Sequence, residues 1–481
     1  MKKALIQILI ALLLILLLPS SLLAAGRSLP SYYTESYYAE LMPMIRRLKE
    51  TEGRKLVVLG NSDVAFGLNG ALLEQLLEEK GYSYTVCPFG LYAAVGTSAM
   101  LQLSEQFLGE NDLVVVVAEP VSETLSTYFG PVAFWKCIED NPSAFVYLNG
   151  RQRTELLCSY ISYLQERYAI YKSNKPPVVQ GVYAKASFDD RCDMIYQRDG
   201  NIMPIGYDTA RPVDFSAVSL TEEFAEQISA YCKAAENTGA AVCISFSPVN
   251  RSAVTDLSEN AIRQFFSLIN TSLPCPVISN PNRYILDSGW FYDTNFHLNS
   301  AGAALRTVTL AEDILAFLGC YEELEYELPQ MPPSSVITAE NDQNDNDYFF
   351  YSSIGENAGW EINGINEEGL LQQQLSVPAF HLGKPVTGFT PDALEKAAVL
   401  EELTLPNTIE SIPDCLFASC HRLTRLILQH TETVCKVTEH SFDHAEQLRI
   451  FVPAAAYPLY RDGYGCETNL WASYLDRIFT Y

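Results

Sequence analysis

The sequence predicts an α/β protein: a doubly wound parallel sheet of three layers, followed by a C-terminal module of stacked leucine repeats. Three observations predict it. Residues 54–320 alternate apolar runs of strand length with stretches of helical period. From 329 to 347 Pro, Ser, Asn and Asp replace any apolar period. Beyond that point the pattern Leu-x-x-Leu-x-Leu starts at Leu400, again at Leu423 and, shortened, at Leu448. A chain of 481 residues is long enough for two or three such domains.

The N-terminus reads as an export signal. Lys2 and Lys3 precede an apolar run, Ala4 to Leu18, and small residues follow at Ala24-Ala25-Gly26. Cleavage there releases a secreted body. Retention leaves a single membrane anchor, because Ala4 to Ala25 is just long enough to span. Residues 1–26 are therefore a signal peptide or an anchor, and the body is expected outside the cytoplasm. The twelve cysteines have irregular spacing and sit mostly in apolar runs, so buried free thiols are expected. Cys415 and Cys420 with His421 lack the second ligand pair of a zinc site, and no metal or organic cofactor is predicted. Acidic residues outnumber Lys and Arg by 58 to 32, a net charge of -26. That charge excludes a nucleic-acid partner.

In the first domain, 27–328, strands are predicted at Lys55–Leu59, Tyr84–Cys87, Leu113–Ala118, Ala240–Phe246 and Pro276–Ile278. Helices are predicted at Asn69–Lys80, Thr97–Leu108, Thr221–Thr238, Ser258–Asn270 and Ala301–Leu318. About 130–215 the rhythm is interrupted by an aromatic-rich helical piece, Glu155–Tyr171, and a turn at Asp199-Gly200; this reads as an insertion capping the site. Its aromatics, Phe129, Trp135 and Tyr147, suit either a ligand wall or the core. The linker is 329–347. In 348–481 a leucine at each repeat packs the inside of a stacked coil that no single unit could close.

Two segments carry chemistry. In Leu56–Gly67 a buried strand ends in Gly60-Asn61-Ser62, and a helical pattern follows. A serine there stands at the sheet's C-terminal edge near amides able to hold an oxyanion, or else it caps the helix. Asp63 beside it reads as a solvated turn residue. In Tyr292–Gly302, His297 is the only histidine of residues 1–380, and it lies in a loop beside Asp293. A serine nucleophile needs a near-neutral base and an acid to orient it. The alternative is a structural histidine.

Together these segments resemble the SGNH (GDSL-type) hydrolase superfamily, and within it the extracytoplasmic relatives that handle acyl groups of cell-wall polymers. The resemblance covers about 54–320. It implies Ser62 as nucleophile, His297 as base and Asp293 as orienting acid. The Ser62 and Gly90 N–H groups would form the oxyanion hole, Gly90 lying in the block Phe89–Gly96. The chain departs from the pattern at three places. Asp293 stands four residues before His297 instead of three. Asn295 occupies the position where some relatives have the acid. Glu119-Pro120 follows the third strand where an Asn normally completes the hole. Asn61, Asn295 and Glu119 are therefore further candidate site residues, Glu119 more readily as a structural group. Residues 358–481 resemble the BspA-like leucine-rich repeats of bacterial surface proteins, which implies a module binding a protein or glycan. The resemblances imply an exported serine esterase or acyltransferase acting on O-acylated polysaccharide. The competing expectation is a non-catalytic surface protein with a degenerate first domain.

Overall fold

The computed structural model describes residues 26–173, 176–177, 181–203, 205–332, 348–354, 359–382, 384–431, 433–462 and 469–481. The export segment, residues 1–25, and most of the linker lie outside the described residues. The chain is a mixed α/β protein with parallel sheets. In the first body β1 (Lys55–Gly60), β2 (Thr85–Gly90), β3 (Leu113–Ala118) and β4 (Ala241–Phe246) form one parallel sheet in the order β2-β1-β3-β4. The five helices predicted from periodicity are present, with shifts at their ends. The expected strand Pro276–Ile278 is reduced to one bridge, Val277 to Ile244, because the segment is too short to propagate a ladder.

Apolar residues on both sides of each strand explain why the sheet is covered twice. Val57, Leu59, Val114 and Val116 pack with α1 (Leu41–Glu50), α4 (Thr97–Ser104) and α7 (Glu222–Thr238). Leu56, Val58, Val115 and Val117 face the other way, onto α3 (Gly70–Glu79) and α9 (Ser300–Phe317). Between α1 and α3 lies a short helix, α2 (Ser62–Gly67), directly after β1. Caps set the boundaries: Asn69, Thr221, Ser258 and Asn299 each accept a backbone N–H from the first turn of α3, α7, α8 (Glu259–Ser272) and α9.

The interrupting segment supplies α5 (Pro131–Cys137), α6 (Gly150–Ser173) and an irregular stretch, 181–215. Its aromatics are core: Phe129 is buried, and Trp135 and Tyr147 pack against the same cluster. None of the eleven described cysteines is disulfide-bonded, although the Cys232 and Cys275 sulfurs approach to 3.2 Å.

The second body has a separate core. It opens with a four-stranded sheet, Phe349–Ser353, Trp360–Ile365, Phe380–His381 and Lys384–Phe389, that periodicity did not reveal. A five-stranded parallel stack follows, in the order Ile478–Thr480, Arg449–Val452, Arg425–Leu428, Glu402–Leu405, Gln374–Ser376. Leu375, Leu403, Leu426, Ile450 and Ile478 stand opposite one another across the stack, all buried.

Candidate active site

The site is built where β1 ends. A side chain on Gly60 would come within 2.6 Å of Val64, and one on Gly90 within 2.4 Å of the Asn61 carbonyl. Glycine at both positions thus lets β1 turn sharply into α2 beside the end of β2. Asn61 is the residue preceding the helix, its N–H donating to Asp63 at 3.0 Å, and its side chain makes no capping bond. Ser62 is consequently the first helical residue and not a cap. Its side chain is half-buried at the C-terminal edge of the sheet.

His297 reaches it from the loop before α9. The Nε2 atom lies 2.8 Å from Ser62 Oγ, and Nδ1 lies 2.8 Å from Asp293 Oδ1. With the Nδ1 proton donated to Asp293, Nε2 is the acceptor for the Ser62 hydroxyl. The four-residue spacing works because the loop is a tight reversal. The Tyr292 N–H donates to the His297 carbonyl at 2.8 Å, and the Thr294 hydroxyl accepts from the N–H groups of Phe296 and His297. The Phe66 ring stacks on the imidazole, centroids 3.8 Å apart and planes 11° off parallel.

The other candidates fall in two places. Asn295 is turned away from the imidazole. Its amide donates to the Asp208 and Arg211 carbonyls and its carbonyl accepts from the Asp208 N–H, so it fastens the 208–211 loop. Glu119, at the end of β3, is buried and accepts from Asn61 Nδ2 at 3.1 Å, while the Thr97 hydroxyl donates to Asn61 Oδ1 at 3.3 Å. Asp63 is not solvated as the sequence suggested, being 1% exposed. It is drawn inside because it closes the turn onto the Asn61 N–H, with the buried Arg306 as a charge partner. Burial, and then the proximity of Asp63, push the Glu119 carboxyl up to about 8; burial also raises Asp63.

A stability prediction follows from this shift. Unfolded, Glu119 titrates near 4.5; folded, near 8. Between these values the native chain holds a proton that the unfolded chain has released, so this group's contribution falls as pH rises through the window. Glu119→Gln removes that linkage. Urea unfolding at about pH 5 and about pH 8 should show a smaller loss in the variant than in the parent.

Sequence reasoning missed two residues, both from the insertion. Tyr183 donates its phenol to Asp293 Oδ2 at 2.6 Å, which leaves Oδ1 for His297. Burial and that carboxylate hold the phenol pKa well above its ordinary value, so it remains a donor. Arg198 donates from Nε to the Leu298 carbonyl and from Nη2 to that of Phe66, tying the histidine loop to α2. No sequence signal marks either, since both lie in an aperiodic stretch far from Ser62 in the chain. Tyr183→Phe should lower turnover about 10–100-fold, the worth of one hydrogen bond to a charged group. The freed carboxylate would hold a protonated imidazole more strongly, so the acid limb of the pH–rate profile should move to higher pH. A variant with unchanged limbs would show that Tyr183 only packs.

Among the described residues no cluster of three or more His, Cys, Asp or Glu could hold a metal ion. Chemically, the arrangement can deprotonate a hydroxyl nucleophile and return the proton to a leaving group. No known protein family's sequence profile matches the chain, and no curated protein matches it.

Proposed function

We propose that the first body is an SGNH-like serine esterase or O-acyltransferase, exported and acting on acyl groups of cell-wall or extracellular polysaccharide. The relay Ser62–His297–Asp293, with two 2.8 Å hydrogen bonds in series, is the observation that carries this reading. His297 takes the proton as Ser62 attacks the ester carbonyl, and the alcohol leaves with that proton. Water or an acceptor hydroxyl then attacks the acyl-enzyme, with His297 as base a second time. The Ser62 and Gly90 N–H groups would hold the oxyanion. Asn61, fixed by Glu119 and Thr97, would orient the backbone that presents the nucleophile. No cofactor is needed for these steps. The second body would be a leucine-rich-repeat module that binds a protein or glycan at the cell surface.

The test is acetate release from a short aryl acetate, and then from O-acetylated polysaccharide with and without a sugar acceptor. Release to water makes the protein a hydrolase, and transfer to the sugar makes it a transferase. No turnover of either donor would leave the binding-protein reading, with the first body as scaffold.

A further inference from the structure

The outer face of α6 has no role in the site. Leu157, Ile161, Leu164, Tyr168 and Tyr171 recur at alternating steps of four and three, which aligns them in one stripe about 20 Å long. Leu157 is 59% exposed, Ile161 50%, Tyr168 52% and Tyr171 55%. Only Leu164, in the middle, is covered. Gly26, the first described residue, lies against it and against Tyr160 so closely that no side chain would fit there.

The chain that follows Gly26 is fastened to the same helix. Arg167 donates to the carbonyls of Leu29 and Pro30, and the Tyr33 phenol donates to Glu166. The backbone N–H groups of Tyr32 and Tyr33 donate to Glu139, which pairs with Arg167 at 3.2 Å. Gly26 thus sits beside the stripe, and the residues that precede it in the sequence, Ala4 to Ala25, are an apolar run long enough to span a bilayer.

We propose that residues 4–25 are retained as an anchor and that α6 lies on the bilayer surface, its stripe in the boundary between headgroups and acyl chains. Among the described residues no helix is long and apolar enough to cross a membrane. Tyr168 and Tyr171 have the amphipathic rings favoured at that depth. The helix carries four basic and two acidic residues on a chain of net charge -26, so it is a poor site for repulsion by lipid phosphates. On a zwitterionic bilayer, adhesion rests on apolar contact and is insensitive to salt. This inference does not depend on the chemistry at Ser62.

The experiment uses the full chain. Intact mass of the protein recovered from membranes should include residues 1–25. Tyr168→Trp and, on the second body, the 79% exposed Leu371→Trp are then reconstituted in phosphatidylcholine vesicles with brominated acyl chains. The parent's four tryptophans set a common background. Tyr168→Trp should gain quenching over the parent, unchanged in high salt, and Leu371→Trp should gain none. Loss of residues 1–25, or no added quenching at position 168, overturns the proposal. So does a stripe shielded only in a concentration-dependent dimer in detergent.

Discussion

Ser62→Ala and His297→Ala should each lower aryl-acetate turnover by at least about 10^4-fold, and the double variant should be no worse than either single one. Members of such a relay act as a unit, so removing one removes most of what all supply. The geometry explains the expected non-additivity: Nε2 is 2.8 Å from Ser62 Oγ, and without the imidazole nothing in that position takes the proton. Ser62→Ala should leave stability nearly unchanged, since Ser62 is half-buried, whereas His297→Ala should lower it without unfolding the protein, through the cavity left against Phe66. Circular dichroism and the urea midpoint check this. Additive losses, or an activity indifferent to Ser62, would place the nucleophile elsewhere.

The second large effect concerns the C-terminal stack. Leu426 is fully buried between Leu403 and Ile450, its in-register neighbours on either side. Leu426→Ala removes three carbons from the centre of this column and should destabilise the second body by about 2–5 kcal/mol. Because the two bodies have separate cores, hydrolysis at Ser62 should be unchanged. Arg425→Ala, next in sequence, loses a surface pair with Glu402 and the contact of its guanidinium with the Phe451 ring, and should cost about 1 kcal/mol. Equal effects at 425 and 426 would mean that the leucine column does not hold the stack together.

These expectations show what the sequence made legible. The parallel sheet could be read because each strand is apolar on both faces, and the helices because their apolar residues recur at helical period. Ser62 and His297 stood out as a serine after a buried strand and a solitary histidine in a loop. Interactions that depend on tertiary contact were not legible. Nothing local distinguishes Tyr183 from the chain's other tyrosines, yet it is the residue that reaches Asp293 Oδ2. Asp63 read as solvated because an acid after a serine usually is; closing the turn onto the Asn61 N–H drew it inside. Asn295 stands at the position from which an acid would orient His297, but the 208–211 loop takes up its amide. The sheet that opens the second body was missed because three of its strands are half-exposed and the buried one, Lys384–Phe389, is interrupted by Pro385 and Gly388, with no repeated leucine to mark them.

The central claim, that Ser62 is a nucleophile activated by His297, is tested most directly by treating the protein with a fluorophosphonate and mapping the adduct by peptide mass spectrometry. One modified peptide is expected, carrying the label on Ser62, and that label is lost in His297→Ala. An unmodified Ser62, or labelling that persists undiminished without the histidine, would contradict it.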